Sequence, residues 1–402
     1  MQNDETQSPI NKEYYFHRYL QYATSIIASY EGNNPFHFFL KKYFSSNKRH
    51  GSRDRKIITA LCYDYFRLGY GVSTEADQNE KFLLSTFLCE NSFQTSLEFF
   101  KPEWNVSISL PLWDKLKIIE KKFNAEKIFP FSDELSNQIN FHKFSLSFLV
   151  QPKLFIRLRP GFKNSVISKL EKAGLLFEDL GDNCIAFSNN ENVSNVIEMD
   201  KVAVVQDCNS QKALDFLKPF AESNKTEMSI WDCCAGSGGK SILAFDIFKK
   251  INLTVSDIRK NILENLVQRF KKAGITEYKL IAADLEKESV KISELFDIII
   301  ADVPCTGSGT WARKPECLMF FKKNELEKYA MLQRKIVGSV LPDLRNGGHL
   351  LYITCSVFKK ENEKNVAFFC DEYQLHLLKE QYLKGYEMHA DTLFVALFAK
   401  AM

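Results

Sequence analysis

The spacing of apolar residues divides the chain into three parts. From about Lys12 to Asn140 they recur at helical spacing, which predicts a bundle of helices that includes 82–89, 93–100 and 112–123. The next part, from about Ser145 to Gln206, has a pattern of short strands at 154–159, 184–187 and 202–205 around a helix at 166–173. After Lys218, apolar strands and helices alternate, which is typical of a doubly wound parallel sheet.

We therefore predict an all-α domain over 1–144, a small α+β unit over 145–215 and an α/β domain over 216–402. Strands of the α/β domain are predicted at 229–233, 252–256, 279–283, 298–301 and 349–353. Ligands of such a sheet bind at the carboxyl ends of its strands. The residues that follow these strands are therefore the first candidates for a functional site.

Composition limits the classes of protein that remain. The 402 residues are 45% hydrophobic and 13% aromatic, which is enough for two or three folded domains. Because the net charge is only +3, any contact with nucleic acid must come from local basic patches. The ten cysteines include no C-x-x-C pair, so no metal site is expected, and so many thiols favour a reduced, intracellular protein.

The chain shows no sign of membrane targeting. Its first residues, MQNDETQSPINKEYY, lack an apolar signal core, and no apolar run approaches the length of about 18 residues that a membrane span needs. We expect a monomeric cytoplasmic protein with no membrane partner.

The densest group of basic residues lies between the first two predicted helical stretches, which contain 15–27 and 57–68. It follows Lys41 and Lys42 and consists of Lys48, Arg49, Arg53, Arg55 and Lys56. Such a run is often a solvated helix start, with Ser52 or Asp54 as a cap. It is also a candidate phosphate-binding patch. In the α+β unit, Arg157 and Arg159 are predicted on one face of a half-exposed strand, where they are either ordinary polar residues or contacts for a nucleic-acid backbone.

A glycine-rich turn follows the first strand of the α/β domain. It consists of Cys234, Ala235, Gly236, Ser237, Gly238, Gly239 and Lys240. A Walker A loop ending at Lys240 requires glycine where Cys234 stands, and a dinucleotide fingerprint requires glycine or alanine where Ser241 stands. Both common phosphate-binding motifs are therefore excluded, and nucleoside binding without a pyrophosphate remains.

Two acids follow the next two strands. Asp257 follows the second strand, where it could accept ribose hydroxyls, and Asp284 follows the third, near the expected adenine edge. With the glycine turn, this order predicts an S-adenosylmethionine site. The alternative is that both acids only cap the helices after them.

Two cysteines follow two further strands. The apolar run 298–301 ends at Asp302, Val303, Pro304 and Cys305, and the run 349–353 ends at Thr354 and Cys355. Either cysteine alone would more often be a small buried residue than a catalytic one.

Four motifs together resemble the RsmB/Sun-type RNA cytosine-5 methyltransferases. They are DCCAGSGGKS, SDIRKNIL, DVPCTGSGTWARKPE and MLQRKIVGSVLPDLRNGGHLLYITCSVFKKENEKNV. The stretch VVQDCNSQKAL resembles the family's approach to its catalytic domain, and GSRDRKIITALCYDYFRLG resembles a helix of the NusB-like bundle of bacterial members. The resemblance implies a class I methyltransferase fold with a Rossmann-like sheet, preceded by a NusB-like bundle and a small RNA-binding unit.

The resemblance also implies roles for individual residues. Cys355 would attack C6 of cytosine, the methyl group would go to C5, and Cys305 would assist release of the product. Asp302 would bind the N3/N4 edge of the base and belong to the cofactor site as well. Lys240 would position the cofactor or the base and favour the Cys355 thiolate.

Two residues depart from the family pattern. Ser237 stands where the family has proline, which is expected to alter cofactor affinity, and Ala312 replaces the first arginine of an Arg-Arg pair, which bears on substrate preference.

The expected partner is RNA, and the target base must be single-stranded or flipped out of a helix. Because of the NusB-like bundle, 16S ribosomal RNA is the expected substrate, with transfer RNA as the alternative. A non-catalytic RNA-binding assembly factor remains an alternative of another class. An adenine or guanine N-methyltransferase would instead have an aromatic residue where Cys305 stands.

Overall fold

The computed structural model describes residues 9–189, 191–223, 227–248, 250–287, 292 and 294–402. The first eight residues, for which no signal segment was predicted, lie outside them. The helices are α1 (Pro9–Ser29), α2 (Phe36–Ser46), α3 (Ser52–Arg67), α4 (Gln78–Cys89), α5 (Thr95–Phe100), α6 (Pro102–Val106), α7 (Leu112–Ile118), α8 (Phe141–Ser147), α9 (Lys163–Lys172), α10 (Cys208–Lys212), α11 (Lys218–Ser223), α12 (Gly239–Phe248), α13 (Lys260–Ala273), α14 (Glu316–Phe320), α15 (Glu325–Val340) and α16 (Glu363–Glu372).

The strands are β1 (Leu154–Leu158), β2 (Glu178–Asp179), β3 (Cys184–Phe187), β4 (Ala203–Val205), β5 (Met228–Asp232), β6 (Ile251–Asp257), β7 (Lys279–Ala282), β8 (Phe296–Asp302), β9 (Leu344–Thr354), β10 (Leu375–Leu383) and β11 (Leu393–Lys400).

The chain forms two compact units. One, called here the helical unit, contains 1–132, 141–151 and 311–321. The other, called the catalytic unit, contains 133–140, 152–310 and 322–402, and thus includes both β-sheets. The predicted boundaries at 144 and 215 stay a prediction.

The helical unit has a core of aliphatic and aromatic side chains from α1 to α4, including Leu20, Ile26, Phe36, Ile58 and Phe82. These positions follow the helical spacing seen in the sequence. Helix α3 begins next to the basic run, and the Asp54 carboxylate accepts the Gly51 N–H at 2.9 Å. The capping interpretation is therefore correct for Asp54. The helix predicted at 112–123 ends earlier, at Ile118.

The segment 311–321 is held within the helical unit by buried polar groups. The Arg67 guanidinium, 2% exposed, donates to the carbonyl oxygens of Ala312 at 2.8 Å and Phe148 at 3.0 Å. The Glu316 carboxylate accepts the Phe36 N–H at 3.3 Å. The residues just after the proline-cysteine motif are thus anchored among helices, although they follow a strand of the sheet in sequence.

The smaller sheet is antiparallel, with strand order β2-β3-β1-β4. The prediction of a half-exposed face on β1 is wrong, because Arg157 and Arg159 are only 5% and 8% exposed. Both guanidinium groups bind the Asp246 carboxylate of α12, at 2.6 Å and 2.9 Å. These arginines therefore pack the small sheet against α12 and do not offer a surface for a nucleic-acid backbone.

The larger sheet has the order β10-β11-β9-β8-β5-β6-β7. Strands β5 to β9 are parallel, as predicted, whereas β11 pairs antiparallel with both β9 and β10. The predicted strands of this sheet did not include this terminal hairpin. No described helix has the length and apolar character needed to cross a membrane.

Candidate active site

Parallel pairing brings three strand ends to one edge of the larger sheet. Strand β8 lies between β5 and β9, and Asp302 at its end pairs with Ile353 of β9. The glycine turn after β5, the proline-cysteine loop after β8 and the threonine-cysteine segment after β9 therefore meet at the carboxyl edge, where such sheets bind ligands.

The two cysteines lie in direct contact. The Sγ atoms of Cys305 and Cys355 are 3.3 Å apart, and both residues are partly buried. The Cys355 carbonyl accepts the Gly309 N–H at 2.8 Å, which ties the two loops together. The hydrogen bond with Cys355 and burial raise the pKa of Cys305 well above its usual value. The juxtaposition of the thiols follows from the pairing of β8 with β9.

Lys240 and Asp302 form an ion pair beside the thiols. The Lys240 Nζ donates to the Asp302 carboxylate at 2.6 Å, and the side chains are 12% and 33% exposed. Burial alone would lower the pKa of Lys240, but the charge and hydrogen bond of Asp302, together with Cys355, raise it. Lys240 is therefore a fixed cation between the glycine turn and the end of β8.

The glycine turn has a backbone conformation that residues with a side chain rarely adopt. Gly236 and Gly238 have φ values of +54° and +83°, and a Cβ added at Gly238 would lie 2.7 Å from the Phe270 ring. A Cβ added at Gly239 would meet nothing within 4 Å. The turn thus packs tightly on one side and leaves open space at Gly239, as a site for a ligand against bare backbone requires.

Neighbouring groups hold this turn in place. The Ala235 N–H donates to the Ser256 carbonyl at 2.8 Å, and the partly buried Cys234 precedes it. The Ser237 hydroxyl and carbonyl both accept from the Arg269 guanidinium at 2.9 Å. The serine that replaces the family's proline is therefore restrained by a side-chain contact.

Asp257 lies directly beneath the turn. Its carboxylate accepts the Gly236 N–H at 2.9 Å and also binds the Arg259 backbone and guanidinium. Burial alone would raise the pKa of Asp257, but these hydrogen bonds lower it. Asp257 is therefore an anion at the end of β6, and Arg259, whose side chain is 60% exposed, occupies part of its surface.

Asp284 also lies at the predicted place, two residues after β7. Its carboxylate accepts the Glu286 N–H at 3.1 Å and lies 3.3 Å from the Lys287 Nζ. The described residues that follow Asp284 directly form a turn and not a helix, so this contact closes a turn, and a role of Asp284 in binding adenine stays a prediction.

Two buried carboxylates were missed by the sequence analysis. Asp232, the last residue of β5, is 0% exposed and accepts the Ser241 hydroxyl at 2.6 Å. Glu361, also 0% exposed, accepts from Thr306 beside one cysteine and from Ser356 beside the other. Glu361 stands in the charged run KKENEK, which looks like a solvated surface, so only its distance of six residues from Cys355 could have indicated it.

Comparisons with known proteins identify similar sequences and folds. Residues 218–393 match the family model described as 16S rRNA methyltransferase RsmB/F. Ribosomal RNA small subunit methyltransferase B of Proteus mirabilis (strain HI4320) is 28% identical over 204 residues, which cover 49% of this chain and 46% of that protein. The namesake from Yersinia pseudotuberculosis (serotype O:1b, strain IP 31758) is 26% identical over 169 residues, covering 42% and 38%. The chain thus spans about half the length of these curated relatives or less.

Solved structures share the fold. PH0851 is similar with a TM-score of 0.66 and 22% identity, covering 91% of this chain and 95% of that chain. NSun6 from Pyrococcus horikoshii with SFG is similar with a TM-score of 0.55 and 17% identity, covering 65% and 94%.

The seven-stranded sheet and its glycine turn have the class I S-adenosylmethionine-dependent methyltransferase fold. Within that class, residues 218–393 are similar to the 16S rRNA methyltransferases RsmB/F, and the curated relatives support the same RsmB/Sun (NOL1/NOP2/Sun) family.

Proposed function

We propose that the protein is an RNA cytosine-C5 methyltransferase that uses S-adenosylmethionine. The observation that carries this proposal is the pair of thiols, 3.3 Å apart at the ends of two adjacent parallel strands. Cytosine C5 is a poor nucleophile until a thiolate adds to C6, and a second group must assist before the enzyme can be released. Two cysteines in contact supply both thiols that this chemistry needs, whereas a lone structural cysteine would supply only one.

Cys355 is the thiol that we assign to the attack on C6. Its electrostatic interaction with Lys240 supports this assignment, because a nearby cation favours a thiolate. Bond formation between the sulfur and C6 moves electron density to C5. After C5 has taken the methyl group, the C5 proton passes to a water molecule and its electron pair re-forms the C5–C6 double bond, so that the bond between sulfur and C6 breaks and Cys355 departs as a thiolate. Cys305 is in contact with this sulfur and is assigned to assist the release.

Asp302 is assigned to the N3/N4 edge of the base. Its partly exposed carboxylate is held by Lys240 at the same edge of the sheet as the thiols. It would accept a hydrogen bond from the exocyclic amine and stabilise a proton on N3.

The residues around the glycine turn fit S-adenosylmethionine. When bound, this cofactor would supply an electrophilic methyl group. The open backbone at Gly239 would accept the amino-acid part, Asp257 would accept ribose hydroxyls, and Asp284 would lie toward the adenine. The contact of Arg259 with Asp257 implies that the arginine is displaced or shared when a ribose binds.

The proposed substrate is small-subunit ribosomal RNA. The family description and the names of the curated relatives support this choice over transfer RNA. The helical unit offers an exposed basic surface that could contact phosphates, formed by Lys48, Arg49, Arg53, Arg55 and Lys56. Its contribution would be recognised by a strong dependence of RNA affinity on salt concentration.

The test is transfer of labelled methyl from S-adenosylmethionine to separated 16S ribosomal RNA and transfer RNA. We expect 5-methylcytosine in the ribosomal RNA, a trapped protein-RNA adduct with Cys305→Ala, and neither product nor adduct with Cys355→Ala. Cys370→Ala, which changes a partly buried cysteine elsewhere in the catalytic unit, is the matched control and should remain active. Methylation of transfer RNA alone would change the substrate. Absence of transfer to either RNA, with no adduct, would refute the proposed activity in favour of an RNA-binding factor.

A further inference from the structure

A buried carboxylate lies beneath the two thiols without a cation to balance it. Glu361 is 0% exposed, and no ion pair to it is formed by any residue that the structure describes. Its Oε1 accepts the Thr306 N–H and the Gln333 amide at 2.9 Å, and its Oε2 accepts the Thr306 hydroxyl at 2.6 Å and the Ser356 hydroxyl. Burial raises the pKa of Glu361, and the hydrogen bonds from Ser356, Thr306 and Gln333 act in the opposite direction by favouring the carboxylate.

The donors come from both cysteine loops. Thr306 follows Cys305 directly, and Ser356 follows Cys355 directly. Glu361 therefore binds the residue next to each thiol, and the two thiols are in contact on the other side of these residues. A carboxylate that accepts from both loops fixes their separation.

A second buried residue holds Glu361 itself. The Gln333 amide donates to Glu361 and also to the Pro304 carbonyl at 3.0 Å, one residue before Cys305. The Tyr352 hydroxyl donates to the Glu361 carbonyl at 2.6 Å. Because α15 and β9 supply these contacts, the carboxylate is restrained by regular elements and not only by the loops.

The charges around the two thiols are opposite in sign. Cys305 faces Cys355, Glu361 and the phenol of Tyr352, whereas Cys355 faces Cys305 and Lys240, whose partner is Asp302. After the contact with Cys355 and burial, the charge of Glu361 is the next cause that raises the pKa of Cys305. A negative group on one side and a positive group on the other make two neighbouring cysteines chemically different.

We propose that Glu361 is a positioning residue that holds the two cysteine loops together and sets Cys305 and Cys355 in unlike surroundings for their separate roles. The meaning of this division of labour rests on the proposed function. The thiol properties themselves do not, so they can be measured without RNA or cofactor.

The first test compares Glu361→Gln with Glu363→Gln in the full-length protein. Glu363 is a partly buried carboxylate two residues away that accepts from Tyr382 at 3.1 Å, so it is a matched control. Alkylation of each cysteine by iodoacetamide is followed by peptide mass spectrometry from pH 6 to pH 10. We expect Cys305 to react about tenfold faster at pH 8 in Glu361→Gln, since each unit of lowered pKa gives about tenfold more thiolate. Glu363→Gln should match the wild type, and equal Cys305 rates in all three proteins would overturn the proposal.

A second variant separates position from charge and covers the case in which Glu361→Gln does not fold. Thr306→Val retains the Glu361 carboxylate but removes the Thr306 hydroxyl that donates a hydrogen bond to it at 2.6 Å. Diamide oxidises adjacent thiols to a disulfide and is itself reduced to the hydrazine. We expect formation of the Cys305–Cys355 disulfide to slow several-fold in Thr306→Val, and an unchanged rate would refute the positioning role.

The outcomes also separate this inference from the proposed function. If thiol reactivity changes as expected while wild-type protein methylates no RNA, the role of Glu361 stands and the methyltransferase proposal fails. If methyl transfer and adduct trapping succeed but neither variant alters the reactivity of the thiols, the methyltransferase proposal stands and the role of Glu361 fails.

Discussion

Replacing Asp232 by asparagine should give a protein whose free energy of unfolding exceeds that of the wild type by an amount that grows as the pH rises from 4 to 7. Asp232 is fully buried, its Oδ2 accepts from Ser241, and its Oδ1 has no hydrogen-bond partner among the residues that the structure describes. Burial raises the pKa of Asp232 from 3.8 to about 7. The folded protein therefore holds a proton that the unfolded chain releases in this range, and ionisation of the unfolded chain favours unfolding.

The magnitude follows from the two pKa values. The stabilisation from the proton on Asp232 is complete below the unfolded value of 3.8 and is lost as the pH rises toward about 7. The interval of roughly three pH units, at about 1.4 kcal/mol each, sets an upper limit of about 4 kcal/mol. Asparagine has the same shape, retains an acceptor for Ser241 and carries no charge, so it should not show this loss.

The assay is urea unfolding of wild type and Asp232→Asn from pH 4 to pH 8.5, followed by circular dichroism and tryptophan fluorescence. The quantity of interest is the difference in free energy of unfolding between the two proteins. It should grow from pH 4 to pH 7 and then level off. The exposed Asp371, changed to asparagine, is the control and should give a nearly constant difference. A difference for Asp232→Asn that is the same at pH 5 and pH 8 would refute the reasoning.

Three further substitutions test the packing that supports the site. Gly238→Ala should weaken S-adenosylmethionine binding at least tenfold in calorimetry, because its Cβ would lie 2.7 Å from the Phe270 ring and its φ is +83°. Gly51→Ala, whose Cβ would meet only Asp54 at 3.5 Å in the helical unit, should have a much smaller effect, and equal losses would contradict this. Asp246→Asn should lower the free energy of unfolding, measured by urea unfolding, by about 3–5 kcal/mol, because it leaves Arg157 and Arg159 buried without a counter-charge. A change under about 1 kcal/mol would count against this role of Asp246. Arg67→Met should cost about 2–4 kcal/mol by leaving buried carbonyls unpaired, with faster hydrogen exchange in 311–321, and unaltered exchange there would show that the guanidinium does not anchor the segment.

Much of the site could be predicted because the relevant signals are local. A strand buried on both faces must be apolar along its length, so the change from an apolar run to a polar residue marks its end. Asp257, Asp302 and Cys355 were located in this way, and the structure places them at or directly after the ends of β6, β8 and β9. Positive φ values likewise favour glycine, which made the turn at Gly236 and Gly238 visible.

The errors occurred where burial depends on distant partners. The alternation in β1 predicted an exposed arginine face, but Asp246, almost ninety residues away in sequence, compensates the charges and allows burial. Glu361 looked like part of a solvated run because the groups that satisfy it come from α15 and two loops.

The sequence by itself determined the five parallel strands, the composition of the glycine turn and the presence of two cysteines after two strands, because each depends on neighbours along the chain. The tertiary structure alone decided that β8 and β9 are adjacent and in a register that brings the two sulfurs to 3.3 Å. It also decided that Lys240 faces Asp302 and that Glu361 lies beneath both loops. Strand order, register and burial of charge arise from long-range pairing and packing, so a local sequence pattern does not predict them.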